Sequence, residues 1–87
     1  MTATVTMYST RFCPYCMRAR RLLGQKDVAF EEIDVGGDAG LWQKMLELSG
    51  RDTVPQIFIN NEAVGGYDDI AYLDRQGKLD AMLAAKP

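Results

Sequence analysis

The stretch TRFCPYCMRARR, residues 10–21, decides how the chain is read: it holds both cysteines, two residues apart, between two apolar runs. Upstream, TVTMY at 4–8 alternates polar and apolar residues with Val5 and Met7 on one face, the pattern of a half-buried strand. Downstream the period changes. Cys16, Ala19, Leu22 and Leu23 share one face of a helix that starts at Pro14 and runs to about Gly24. Proline suits a first helical position because it has no N–H to leave unpaired and its φ is already helical, which places Cys13 at or beside the N-cap. There the sulfur faces backbone N–H groups, and these donors with the positive end of the helix dipole favour thiolate over thiol. Cys16 lies on the same side of the first turn, within reach of a disulfide. As part of the apolar stripe it is expected to be the more buried and less acidic thiol, so Cys13 is the expected attacker and Cys16 the resolving thiol.

The rest of the chain supplies a framework for this turn. VAFEEIDV at 28–35 reads as a second strand, with an irregularity expected near Glu31 and Glu32 because Val28 and Phe30 differ in parity from Ile33 and Val35. Asp38 offers an N-cap, Leu41, Trp42, Met45 and Leu48 an apolar stripe, and Gly50 a C-cap. Trp42 and Met45 are assigned to the core. QIFIN at 56–60 and EAVGG at 62–66 flank Asn60 and Asn61 and predict a hairpin. Asp68 or Asp69 is expected to cap a third helix through Ile70, Ala71, Leu73 and Asp74, closed by Gly77, and Leu79, Met82 and Leu83 suggest a short fourth. The order β-α-β-α-β-β-α-α predicts an α/β fold with a four-stranded mixed sheet flanked by helices, built as a single domain over residues 1–87. A strand, helix, strand unit favours parallel pairing through a right-handed crossover, and chemistry is expected beyond the carboxyl ends of such strands, where Cys13 falls.

Composition narrows the class. Hydrophobic residues make up 47% and charged residues 25% of 87 residues, an ordinary globular balance, and the net charge of -2 gives no general attraction for nucleic acid. No apolar run approaches the roughly 18 residues of a membrane span, and MTATVTMYST lacks the pattern of a signal peptide, so the expected location is the cytoplasm, with no membrane partner. In that reducing compartment a lone cysteine pair is a poor structural staple. A structural zinc site needs two further Cys or His ligands, and the chain has no His and no other Cys, so no metal site is expected within one chain. A structural disulfide or two inert core cysteines are the plain alternatives, but the strand–turn–helix setting of this C-x-x-C favours redox chemistry. Arg11, Arg18, Arg20, Arg21 and Lys26 occupy residues 11–26 with no acidic residue among them. They either steer anionic adducts towards Cys13 or form a solvated face with salt bridges to acids elsewhere. No apolar stripe is left over after the core is filled, which favours a monomer.

With CPYC at 13–16, TVP at 53–55 before a strand and GGYDD at 65–69 before a helix, nearly the whole chain resembles the dithiol glutaredoxins of the small bacterial kind. The Gly-Pro pair more usual between thioredoxin cysteines and the CGFS of monothiol glutaredoxins are both absent. The resemblance implies a thioredoxin-like fold and a glutathione-dependent thiol–disulfide oxidoreductase. It implies no tightly bound cofactor, with glutathione as co-substrate, disulfide-containing or glutathionylated proteins as partners, and glutathione reductase acting indirectly through oxidised glutathione. The residues alone favour a trans Val54–Pro55 bond, since only about 5–6% of X–Pro bonds in folded proteins are cis, whereas the resemblance implies cis. It also implies that Thr53, Val54 and Pro55 border glutathione, with the Val54 backbone pairing with the cysteinyl part. Gly65 and Gly66 permit close approach or a left-handed turn, and the helix start at Asp68 and Asp69 would receive the γ-glutamyl carboxylate and ammonium. Tyr15 either packs on the tripeptide or covers the site edge. Many relatives carry Lys or Arg three residues before the first cysteine. Here Thr10 stands there, which leaves Arg11 and Arg51 as candidates for the glycyl carboxylate. Two rival readings are a redoxin reduced by a flavin reductase and a two-chain iron–sulfur binding module; Pro14 and Cys16 count against the second.

Overall fold

A computed structural model of the chain describes residues 3–87; Met1 and Thr2, part of the N-terminal stretch read above for a signal peptide, lie outside the described residues. In chain order the elements are β1 (Val5–Ser9), α1 (Pro14–Gln25), β2 (Glu31–Asp34), α2 (Ala39–Ser49), β3 (Gln56–Ile59), β4 (Glu62–Gly65), α3 (Tyr67–Arg75) and α4 (Leu79–Ala84). The four strands form one sheet in the order β2-β1-β3-β4. β1 runs parallel to β2 and antiparallel to β3, and β3 pairs antiparallel with β4. The sheet is therefore mixed, as the element order predicted, and the C-terminal end of β1 delivers the chain straight into the cysteine turn.

Local chemistry accounts for the element ends. Asp38 caps α2 by accepting the Leu41 N–H at 3.0 Å, and Gly50 closes it in the left-handed conformation at φ 75°. Asn60 and Asn61 both take positive φ, 53° and 67°, the backbone that a two-residue hairpin loop demands and that asparagine tolerates. Asn60 also accepts the Thr4 N–H and donates to the Ala85 carbonyl, tying both ends of the chain to the hairpin. The third helix begins earlier than expected: Gly66 is the N-cap, and Asp68 and Asp69 lie inside the first turn. Asp69 still serves the cap, because its carboxylate reaches back to the Gly66 N–H at 2.8 Å.

Two apolar clusters sandwich the sheet. Val5, Met7, Ile57 and Ile59 pack against Ala19 and Leu23 of α1, Ile70 of α3 and Leu79 and Leu83 of α4. On the opposite face Tyr8 and Phe58, in edge contact at 5.6 Å between ring centres, pack with Val35 and with Met45 of α2. Trp42 is half-buried against this second cluster. The arrangement corrects the expected irregularity near Glu31 and Glu32, since β2 pairs with β1 from Glu31 to Asp34 without a shift. The parity changes because the segment is covered on both sides: Val28 and Phe30 join the first cluster, and Ile33 and Val35 the second. The register shift lies instead between β3 and β4, at Ile57 and Phe58. Leu48 also departs from expectation. It is 52% exposed at the rim of α2, beside a hollow lined by Thr6, Tyr8, Phe58 and Asn61.

Leu23 is fully buried between α1 and the sheet. Leu23→Ala is expected to lower the unfolding free energy by about 2–5 kcal/mol, read from the urea midpoint at unchanged slope.

Candidate active site

Cys13 is the N-cap of α1, with extended backbone at φ -89° and ψ 119°, and Pro14 opens the helix. Its sulfur accepts the Cys16 N–H at 3.3 Å and stands 3.8 Å from the Val54 carbonyl oxygen, to which the thiol form can donate. Cys13 is partly exposed, whereas Cys16 is fully buried on the inner face of α1 with Ala19 and Leu23. Burial pushes the Cys16 thiol up to about 11; the hydrogen bond and charge of Cys13 add to the rise, while the Thr10 backbone and the Arg20 charge oppose it. The dithiol is thus divided into an outer sulfur held by the helix start and an inner thiol held neutral.

Arg20, four residues after Cys16 and so stacked on the same side of α1, braces the loop that leads into Cys13. Its Nη2 donates to the Thr10 carbonyl at 3.1 Å and its Nε to Glu32 of β2 at 2.6 Å, and the buried Ser9 hydroxyl donates to the same carboxylate at 2.6 Å. Arg20 first and Ser9 second hold the Glu32 carboxyl below the usual carboxylate range, against the cost of burial. Of the two readings of the basic run, the one with salt bridges to acids elsewhere holds for Arg20, with a partner, Glu32, that the sequence did not name. The available signal was a charged residue at i+4 from Cys16, next to an apolar stripe.

A cleft of about 310 Å³ opens on the Val54 side of Cys13, lined by Tyr15, Arg51, Thr53, Val54, Pro55, Gln56, Gly66, Tyr67, Asp68 and Asp69. The Val54–Pro55 peptide bond is cis, as the family resemblance implied. Gln56, buried at the start of β3, donates to the Thr53 carbonyl at 2.9 Å and its hydroxyl at 3.2 Å, fixing the loop before the strand. Across the cleft Gly65 has φ 112°, and a side chain there would collide with the Asp69 carboxylate; a Cβ on Gly66 would press on the Pro55 carbonyl at 3.2 Å. The two glycines therefore let the end of β4 approach both walls. Asp69 receives the Gly66 N–H and the Arg51 Nη1 donor at 2.9 Å, and these, the backbone donor first, hold its carboxyl below the usual range.

Of the expected site residues, Tyr15, Arg51, Thr53, Val54, Pro55, Gly66, Asp68 and Asp69 line this cleft, Cys13 adjoins it at Val54 and Cys16 is buried behind Cys13; the Tyr15 ring is half-exposed, with the Arg18 guanidinium 5.2 Å above it. Gln56 and Tyr67 are lining residues that sequence reading did not single out. Arg11 lies apart, in a hollow shared with Thr10, Phe12, Asp34 and Gly36.

An N-capping cysteine, a buried partner one turn on and a cleft closed by a cis-proline loop, on this four-stranded mixed sheet, define a thiol–disulfide oxidoreductase of thioredoxin-like fold. The glutaredoxin family model matches residues 5–64. Glutaredoxin 3 of Escherichia coli is 47% identical over 81 residues, covering 93% of this chain and 98% of its own length. A glutaredoxin of Pseudomonas aeruginosa is 48% identical over 81 residues, covering 93% and 96%. Among solved structures, the Brucella melitensis glutaredoxin superposes with a TM-score of 0.84 at 46% identity, covering 95% of this chain and 90% of that one. A buckwheat glutaredoxin–glutathione complex does so at 0.86 and 28% identity, covering 93% and 76%. The chain belongs to the glutaredoxin family.

Two outcomes follow from the geometry. Gly65→Ala is expected to lose about 1–3 kcal/mol of stability in urea, because it forces a side chain into a left-handed backbone against Asp69. Cys16 stays protonated in the folded protein to about 11, while an unfolded thiol ionises near 9.0. Its contribution is complete below pH 9 and declines as pH rises towards 11. Unfolding of the reduced protein should therefore lose on the order of 2 kcal/mol across that window, a component absent from Cys16→Ala.

Proposed function

We propose that the chain uses glutathione to reduce protein–glutathione mixed disulfides and protein disulfides, with Cys13 as nucleophile and Cys16 as resolving thiol. The observation that carries this is the partly exposed Cys13 sulfur at the start of α1, bonded to the Cys16 N–H and 3.8 Å from the Val54 carbonyl on the cleft wall, with the second thiol buried behind it. In the monothiol route the Cys13 thiolate attacks the glutathione sulfur of a mixed disulfide, and the client sulfur leaves and takes up a proton. A second glutathione, as thiolate, attacks the glutathione sulfur of the Cys13 adduct, releasing oxidised glutathione and the Cys13 thiolate. In the dithiol route Cys13 first joins a client sulfur. Cys16 then loses its proton and attacks the Cys13 sulfur, so that the client departs reduced; two glutathiones later reduce the Cys13–Cys16 disulfide.

The electrostatics suit this order. Two of the influences that keep Cys16 protonated are the hydrogen bond and charge of Cys13, and both disappear once Cys13 is held in a mixed disulfide. Burial, the largest influence, remains, so the reaction of Cys13 eases the hold on the Cys16 proton without removing it.

For the tripeptide, the reading is supported by the cleft walls and by the buckwheat relative's complex with glutathione. The Val54 backbone is the proposed partner of the cysteinyl part, with Thr53 and Pro55 fixing its approach and Tyr15 covering the outer edge. The first turn of α3, from Gly66 through Asp68 and Asp69, takes the γ-glutamyl carboxylate on its N–H groups and the ammonium on its acids. Of the two cations considered for the glycyl carboxylate, we assign Arg51, which lines the cleft; Arg11 faces the neighbouring hollow. Glutathione is a co-substrate in this scheme, glutathione reductase recycles it, and the chain works as a cytoplasmic monomer.

The test is NADPH consumption coupled through glutathione reductase. With the mixed disulfide of glutathione and 2-mercaptoethanol, Cys16→Ser is expected to retain turnover and Cys13→Ser to lose it. With a protein disulfide both variants should fail. Equal loss from the two variants on the small substrate would overturn the assigned roles.

A further inference from the structure

The outward face of α1 beside Cys13 is an unusual surface for a small acidic protein. Phe12 is 85% exposed, Met17 55% and Tyr15 49%, three large apolar side chains within six residues. Helical geometry puts Met17, Arg21, Pro14, Arg18 and Tyr15 on one continuous arc, opposite the buried Cys16, Ala19 and Leu23, while Phe12 projects from the loop above it. The cations of this segment divide into two sets. Arg20 pairs with Glu32, and Lys26 pairs with Asp74 and Asp80, so these two belong to the frame. Arg11, Arg18 and Arg21 are exposed and form no salt bridge among the described residues. Two of them lie over the exposed rings, Arg11 at 6.0 Å from the Phe12 centre and Arg18 at 5.2 Å from that of Tyr15. A guanidinium supported on a ring keeps its donor edge outward, with less side-chain freedom to lose when it meets a carboxylate.

Resting on the redox reading above, we infer that this face docks the client protein, and that the client segment it fits is extended, acidic and apolar around its reactive cysteine. Charge selects the acid: a chain of net charge -2 places two arginines without salt bridges, Arg18 and Arg21, and no acidic residue on the helix that the nucleophile caps, and a third such arginine, Arg11, in the loop before it. The apolar side chains supply contact area at the centre of the patch, and the arginines supply its rim and its steering. The face is continuous with Cys13 and meets the cleft assigned to glutathione only at Tyr15, so a glutathionylated client can lay its peptide across Phe12, Met17 and the arginines while its tripeptide enters the cleft.

The test separates docking from chemistry. Fluorescent peptides carrying Ser in place of the reactive cysteine, flanked by Asp and Leu, Asn and Leu, or Lys and Leu, are titrated with the reduced protein at low and at high salt. The acidic peptide is expected to bind roughly tenfold more tightly than the neutral one at low salt, with the gap closing at high salt. Arg18→Gln with Arg21→Gln should remove the preference, and Phe12→Ser should weaken the acidic and neutral peptides alike. Turnover of the small glutathione mixed disulfide is measured in parallel and should be unchanged by Phe12→Ser and by Arg21→Gln. Equal binding of the three peptides, or a preference that survives the double arginine change, would overturn the inference. So would sedimentation showing a dimer that Phe12→Ser dissolves, since the face would then belong to a second copy. Loss of small-substrate turnover in the unaltered protein would fall on the redox reading, because peptide binding is read without it.

Discussion

The hydrogen bond from the Cys16 amide to the Cys13 sulfur is the contact on which the rest of the structure turns. It exists because Pro14 starts α1 one residue after Cys13, which leaves the sulfur as the capping group of an N-terminus that would otherwise keep its donors unpaired. That same placement sends Cys16 inward with Ala19 and Leu23, so one turn of helix separates an accessible sulfur from a buried one. The sheet is arranged around this requirement: β1 feeds the turn, and the loop before β3 brings the Val54 carbonyl to the far side of the sulfur.

The turn is held from beneath by charge. Arg20 reaches from α1 to the Thr10 carbonyl and to Glu32, and Ser9 joins the same carboxylate, so the segment entering Cys13 is tied to β2 as well as to its own helix. Removing either member of such a partly buried pair leaves the other without its partner, which costs more than the pair itself contributes. Across the cleft, Asp69 plays a similar part by closing the α3 cap and pairing with Arg51. Each wall of the site is thus fixed by an ion pair that joins distant segments.

Those pairings mark where sequence reading stops. Features governed by neighbours in the chain were legible: the Pro14 helix start, the Asp38 and Gly50 ends of α2, the Asn60–Asn61 turn, and the separation of an outer from an inner cysteine. Periodicity shows that a residue belongs to a face but not what covers that face. Hence the parity change around Glu31 and Glu32 suggested a defect where the segment is in fact covered on both sides, and Leu48 joined an apolar stripe although it is left half-exposed at its hollow beside the sheet. Arg20 with Glu32 and Arg51 with Asp69 are 12 and 18 residues apart in the chain, and no local rule connects them. The cis Val54–Pro55 bond came from the family resemblance, since the residues alone favour trans. The earlier cap of α3 at Gly66 was hidden because a glycine there has no capping side chain, and its partner Asp69 looked like the cap itself.

The central claim is that the helix start makes Cys13 the reacting sulfur while burial keeps Cys16 protonated and out of reach. The most direct measurement is alkylation of the fully reduced, folded protein with a limiting amount of iodoacetamide at neutral pH, followed by mass spectrometric mapping of the modified peptide. The account predicts label on Cys13 with Cys16 essentially untouched until the protein is unfolded. Comparable labelling of both thiols, or labelling of Cys16 first, would contradict it.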